Sequence, residues 1–326
     1  KIMDGAMGSE FIRRGLILPE HIWSAEANIN NPEMVQKIHS EYIDAGADYI
    51  TTNTFRTTPR AYEKTGIRNK GTSNRNREAA RSSLYKAVEL AKETASNPVK
   101  VVGSIAPLED CYSPELFPGT DTAMEEFFQL GEWLTEAGVD ILLLETMNSV
   151  IETEAALSSI ENFNLPIWVS FYLFDFKNIG SGEPLKDAIS LLKNYHIDCL
   201  LLNCNNLNIT LSAVDNIVDN WTGNWGIYPN LGLGEPSQDG KIDHYHLDPE
   251  FLDLIIKSIL GLMQNSILLS MILGLVFNYY NVPFPDLLQK IIIPVSNIAL
   301  PIVLISIGLN ISGFKMSHYY KEITTL

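Results

Sequence analysis

The chain spells the same joint twice. Ala45-Gly46-Ala47-Asp48 runs into Tyr-Ile-Thr-Thr, and Ala137-Gly138-Val139-Asp140 runs into Ile-Leu-Leu-Leu. A glycine at that place suits the left-handed residue that ends a helix, and the unbroken apolar run after it suits a parallel strand buried on both faces. Short β-branched runs of this kind recur at Lys1 to Met3, Tyr49 to Thr52, Val99 to Ile105, Asp140 to Leu144, Ile167 to Tyr172, Cys199 to Leu202 and Trp225 to Tyr228. Amphipathic stretches at 32–45, 77–95, 122–137, 150–162, 186–195 and 209–220 separate them. Seven strands joined by helical crossovers predict a (β/α)8 TIM-type barrel of the α/β class, incomplete at about seven βα units. The alternative is an open doubly wound sheet; no GxGxxG follows a strand to support it.

The pattern changes near residue 255. No charged residue occurs from 258 to 285 or from 291 to 314, and about 20 apolar residues are enough to cross a bilayer core. Two membrane helices are expected, at 258–279 and 291–312, joined by the turn Asn281-Val282-Pro283-Phe284-Pro285; a pair of buried core helices is the other reading. Lys257, Lys315 and Lys321 place both ends on the cytoplasmic side. The expected division is therefore 1–252, a barrel, and 253–326, a hydrophobic helical segment. Residues 251–326 hold four lysines against three carboxylates, a net of +1, so within the overall -16 the first 250 residues carry -17. Such a surface repels phosphate backbones, and nucleic acid is excluded as a partner. Three cysteines without a CxxC pair, and no secretory h-region at the start, point to a reducing, cytoplasmic setting, with the barrel tethered to the membrane by the hairpin.

In a barrel, chemistry collects where strands end. Strand ends here carry Asp4, Thr52 and Asn53, Gly103 and Ser104, Glu145 and Thr146, Asn203 and Cys204, and Tyr228. Asp4 and Glu145 at one mouth would hold an ammonium group, because a cation between two anions regains the solvation it loses on entry; alternatively each carboxylate caps a turn or a helix. A thiol at a strand end, Cys204, is placed to attack or to bind a soft metal, or else is a packing residue. Cys199 reads as core and Cys111 as a loop residue. His244 and His246 form an HxH in a polar loop that could share a metal or be plainly solvated.

Taken in order, these strand ends resemble the homocysteine S-methyltransferase family. The likeness rests on Asp4-Gly5-Ala6-Met7-Gly8-Ser9-Glu10, Trp23-Ser24-Ala25 with Asn31-Pro32-Glu33, and Ala45-Gly46-Ala47-Asp48 leading to Thr51-Thr52-Asn53-Thr54-Phe55. It continues in Gly103-Ser104, Glu145-Thr146, Ser181-Gly182-Glu183-Pro184-Leu185, Asn203-Cys204 and Tyr228-Pro229-Asn230-Leu231-Gly232, covering about residues 1 to 250. The resemblance implies a (β/α)8 barrel that moves a methyl group from a donor such as S-methylmethionine to the sulfur of homocysteine, giving methionine. It implies that Asp4, Thr52, Asn53, Glu145 and Asn203 bind substrate and that Cys204 is one of three thiolate ligands of a zinc ion, the other two coming from a Gly-Gly-Cys-Cys. That motif is absent, and no cysteine follows residue 204. Impaired activity is expected. From about Ile256 to Phe314 the chain is similar to the last helices of the auxin efflux carrier family, through Pro283-Phe284-Pro285 and Ser296-Asn297-Ile298-Ala299-Leu300-Pro301. The alternative expectation is an inactive fusion or gene-rearrangement product carrying a membrane-transporter fragment.

Overall fold

Six strands pair in parallel and in strict chain order, which a doubly wound sheet, with its reversal of strand order, does not. The computed structural model describes residues 1–65 and 72–230, all within one unit, Lys1–Tyr245. The chain opens with α1 (Met7–Arg13), a 3-10 turn at Trp23–Glu26, α2 (Ala27–Asn30) and α3 (Pro32–Asp44). It then alternates: β1 (Tyr49–Thr51), α4 (Pro59–Glu63) and α5 (Thr72–Thr94), β2 (Lys100–Ile105), α6 (Thr120–Ala137), β3 (Ile141–Met147), α7 (Val150–Ile160), β4 (Ile167–Phe171), α8 (Leu185–Leu192), β5 (Cys199–Asn206), α9 (Leu207–Asn220) and β6 (Asn224–Asn230). Every predicted strand but the first is found within a few residues. The exception, Lys1 to Met3, shrinks to a single parallel bridge between Met3 and Tyr49. Both joint glycines are left-handed, Gly46 at φ 101° and Gly138 at φ 85°, the backbone that glycine adopts without a Cβ penalty.

The sheet is curled. Tyr49 on β1 and Trp168 on β4 meet edge to face with ring centroids 4.8 Å apart, although three strand spacings of about 4.8 Å separate those strands along the sheet. Only closure towards a barrel brings them together. The two sides of each strand then have different neighbours. Ile50, Val101, Leu142, Leu144, Val169, Leu200 and Leu202 pack outward against helical residues such as Leu84, Phe127, Leu134, Ile160, Ile189 and Ile217. Val102, Ile141, Leu143 and Leu201 pack inward with Met3, Tyr49, Trp168, Cys199 and Tyr228, filling the lumen. A (β/α)8-type half-barrel is thus present over the described residues.

The expected membrane hairpin at 258–279 and 291–312, the boundary at 252/253, and His244 and His246 lie outside the described residues. Among the described residues no helix is long and apolar enough to cross a membrane.

Candidate active site at the barrel mouth

Strand parity sets the site. Inward positions alternate along each strand, so the residues one step above the apolar lumen layer are Thr51, Ser104, Glu145, Ser170, Asn203 and, opposite them, Tyr228. All are polar, and those from Ser104 to Tyr228 are linked by hydrogen bonds at the mouth, while Thr51 bonds Asp4. Ser104 Oγ donates a short hydrogen bond to Glu145, and Tyr228 Oη donates to Glu145 Oε1 at 3.2 Å. Ser170 Oγ, beside Tyr228, donates to Asn203 Oδ1 at 2.6 Å. Asn203 Nδ2 in turn donates to Thr146 Oγ1 at 2.7 Å and to Cys204 Sγ at 3.3 Å, and Thr146 Oγ1 lies 3.6 Å from the same sulfur.

Two of these strands bulge at the site. Between β3 and β4 the register runs Leu144↔Val169 and resumes at Met147↔Phe171; between β5 and β6 it runs Asn203↔Tyr228 and resumes at Asn206↔Asn230. Each break inserts one extra residue, a device that re-aims side chains beside active sites. The bulges hold Thr146 at φ 62° and Cys204 at φ 54°. A left-handed β-branched residue costs on the order of 1–3 kcal/mol and persists only where its surroundings enforce it. The two strained residues touch each other, so the strain on β3 and that on β5 serve one place.

Asp4 stands on the β1 side of the mouth, within electrostatic reach of Glu145. It is buried, and its carboxylate accepts from Thr51 N at 2.7 Å and from Thr51 Oγ1 at 2.8 Å. Burial pushes its carboxyl up to about 8 against the pull of the Thr51 bonds, and the charge of Glu145 adds to the rise. Burial likewise raises Glu145, against Ser104 and Tyr228. Neither has an ion-pair partner among the described residues. Both therefore resist being charged together until a cation enters between them. Cys204 is pushed up to about 12 by burial first and by Glu145 second.

The predicted residues separate on these contacts. Asp4, Glu145, Asn203 and Cys204 are brought together. Thr52 and Asn53 are buried behind β1: Thr52 Oγ1 meets Thr54 Oγ1 at 2.8 Å, and Asn53 Nδ2 donates to Ser24 O and Asn28 Oδ1, both at 2.8 Å. Asn53 thus fastens the mouth to the turn that carries Trp23-Ser24-Ala25. Neither capping alternative holds, since Asp4 bonds Thr51 and the α7 cap is Ser149, which accepts from Glu152 N. Cys199 lies in the lumen packing, as expected of a core residue. Ser170 is a member of the group that the strand-end motifs alone do not single out; reading every second residue of each strand finds it, and Tyr228, named at the end of its strand, is there as expected.

The zinc site implied by the resemblance needs three thiolates, and the residues present do not fit it. Cys204 is the last cysteine of the sequence. Among the described residues no three His, Cys, Asp or Glu side chains gather as a metal-holding group.

The chain is similar to known proteins in sequence and in fold. A family profile described as homocysteine S-methyltransferase matches residues 1–268. The homocysteine S-methyltransferase of Escherichia coli K12 is 29% identical over 252 residues, covering 71% of this chain and 77% of the relative. Homocysteine S-methyltransferase YbgG of Bacillus subtilis is 27% identical, with the same coverages, 71% and 77%. Homocysteine S-methyltransferase 2 of Arabidopsis thaliana is 26% identical, and the match spans 59% of this chain and 64% of that protein. Among solved structures, the metallated form of the Escherichia coli homocysteine methyltransferase MmuM superposes with a TM-score of 0.64 at 28% identity, over 71% of this chain and 84% of the other. With a match over most of its length and the fold to go with it, the chain belongs to the homocysteine S-methyltransferase family.

Proposed function

We propose that this chain holds homocysteine at the mouth of the half-barrel and transfers to its sulfur the methyl group of a sulfonium donor such as S-methylmethionine, with turnover impaired by the incomplete metal site. The observation that carries this reading is the pair of buried carboxylates, Asp4 and Glu145, neither with an ion-pair partner among the described residues. An amino acid's ammonium supplies the missing charge. Each carboxylate is already aimed, Asp4 by Thr51 and Glu145 by Ser104 and Tyr228, and each keeps lone pairs for an incoming N–H. Thr52 and Asn53 support this mouth from behind, and Asn203 orients the Cys204 end of the pocket.

In the transfer, the homocysteine sulfur forms a bond to the methyl carbon as the donor's S–CH3 bond breaks, leaving a neutral thioether, and the homocysteine thiol gives up its proton. The protein's part is to hold the sulfur and the methyl in line and to keep water out. In the metallated family relative the metal is part of the protein as solved, and a zinc-bound thiol loses its proton near neutral pH. Here one of three expected thiolates, Cys204, is present, and that supports slow rather than efficient turnover. Calorimetric titration with homocysteine and with N-acetylhomocysteine tests the binding: homocysteine should bind and the blocked amine should not. Equal binding of both would remove the reading, and methionine formation from homocysteine and S-methylmethionine then measures the rate.

For residues 253–326 the uncharged stretches 258–285 and 291–314 support a membrane hairpin similar to auxin efflux carrier helices, which would tether a cytoplasmic barrel. The family match runs on to residue 268, past the proposed boundary at 252/253. Retention of the full chain in membranes after alkaline washing is the expected result; release would sink the tether.

A further inference from the structure

The pleat of β4 continues one step above the polar layer. Val169, Phe171 and Leu173 pack outward against the helices, so Ser170 and Tyr172 alternate to the lumen side. Two residues of strand carry Tyr172 about 6.6 Å beyond Ser170. The ladder still holds there, since Tyr172 N donates to Met147 O at 3.0 Å. From the loop after β2, Tyr112 crosses to meet Tyr172 edge to face, with ring centroids 5.0 Å apart and an interplanar angle of 86°. Both side chains are half-buried. The backbones beneath the rings are fixed by hydrogen bonds. Asn148 Nδ2 donates to Cys111 O at 3.0 Å, beside Tyr112; Ser181 N donates to Asn148 O at 2.7 Å, and Gly180 N to Tyr172 O at 3.0 Å. Gly180 makes room for the ring: a Cβ there would come within 2.8 Å of Tyr172 Cδ1 and 2.9 Å of Asn148 Cβ. Two rings at right angles, clamped by the loops after β2, β3 and β4, thus form an aromatic corner above Ser170. The partner of Ser170, Asn203, reaches the Cys204 thiol.

We propose that the Tyr112–Tyr172 corner is the subsite for the charged centre of the methyl donor, and that it selects a sulfonium or quaternary ammonium donor over an uncharged one. This rests on the methyl-transfer reading of the mouth. A cation whose charge is spread over methyl groups is weakly hydrated and is drawn to the negative face of an aromatic ring. Below the corner, the carboxylates of Asp4 and Glu145 outnumber the single ammonium of homocysteine, so the loaded mouth keeps negative charge for a second cation. The attraction ends with the transfer. As the methyl carbon bonds to the homocysteine sulfur, the electron pair of the donor's S–CH3 bond stays on the donor sulfur. The sulfonium becomes a neutral thioether, the homocysteine thiol proton goes to solvent, and the rings lose the charge that held the donor.

Calorimetric titration of the full chain with S-methylmethionine and with homoleucine tests the corner. The two amino acids share their shape and their ammonium and differ in the charge at the branch point. S-methylmethionine should bind about tenfold more tightly. That ratio should fall close to one in Tyr172→Leu and in Tyr112→Leu and persist in Tyr172→Phe, which keeps the ring. Equal binding of the two ligands by the wild type, or a preference that survives both leucine variants, would overturn the proposal. Because loss of a ring can upset packing, the wild-type chain is also read by NMR. Irradiating the S-methyl protons of bound S-methylmethionine should transfer magnetisation to tyrosine ring protons, and the absence of transfer counts against the site. Homocysteine is titrated separately. If it fails to bind while the sulfonium preference stands, the homocysteine reading falls and the corner remains; if it binds and the preference is missing, the corner alone falls.

Discussion

The lower and upper layers of the lumen are built on the same strands and obey opposite rules. Below, Leu143, Val102, Leu201 and Trp168 fill the interior as any barrel core does. One pleat above, Glu145, Ser104, Asn203 and Ser170 replace them with a hydrogen-bonded ring, two strained bulges and two carboxylates without a cation. Each layer should therefore respond differently to substitution: the lower through stability, the upper through ligand affinity and pH.

The largest contrast is expected in pH. Asp4 is pushed up to about 8 in the fold from an ordinary value near 3.8. A carboxyl raised by folding favours the protonated state, so its contribution is fully present below about pH 3.8 and is lost as pH rises through 8. At about 1.4 kcal/mol per pKa unit the loss is on the order of several kcal/mol. Urea unfolding across this range should show Asp4→Asn gaining on the wild type as pH rises, and homocysteine should close the gap by neutralising the pair. A constant difference between the two chains would show that Asp4 is not held in its neutral form. His39, buried on α3 with neither ring nitrogen bonded among the described residues, is pushed down to about 4 by burial and acts in the opposite sense. Its contribution is lost as pH falls from about 6.5 to 4, so His39→Leu should flatten the acid side of the profile.

Next in size is the pair Leu143→Ala and Glu145→Gln, two positions apart on β3. The first empties a fully buried lumen position and should cost about 2–5 kcal/mol of unfolding free energy with homocysteine affinity little changed in the folded fraction. The second keeps shape and removes a charge that no cation balances. Stability should hold or rise, while homocysteine binding weakens by about 2–3 kcal/mol, read by titration calorimetry. If Glu145→Gln unfolded the chain and Leu143→Ala spared it, the division into layers would be wrong.

Much of this was legible in the residues. The repeated joint at Gly46 and Gly138 predicted parallel strands, and the strand-end carboxylates Asp4 and Glu145 and the thiol Cys204 were found together. What was not legible depends on register. Nothing in Ile-Leu-Leu-Leu-Glu-Thr-Met announces that β3 gains one residue at Glu145–Thr146, yet that bulge turns Thr146 onto the thiol of Cys204. Thr52 and Asn53 fail to reach the ring for the same reason: a strand end names a neighbourhood, while the pleat decides which side each residue faces. Ser170 lies on the correct side but carries no motif.

The smallest expected effect probes the bulge itself. Thr146→Gly relieves a left-handed β-branched residue, worth about 1 kcal/mol or more, but it also deletes the hydroxyl that accepts from Asn203 and touches Cys204, worth about the same. The two should nearly cancel in unfolding free energy, leaving a change within about 1 kcal/mol. Affinity for homocysteine through its ammonium should also hold, because Asp4 and Glu145 keep all their bonds. What should change is the thiol: with its brace gone, Cys204 should react faster with iodoacetamide than in the wild type, while Cys199 in the lower layer reacts as before. A stability loss of several kcal/mol with an unchanged Cys204 rate would make Thr146 a packing residue, and the bulge on β3 would then belong to the core of the barrel rather than to its mouth.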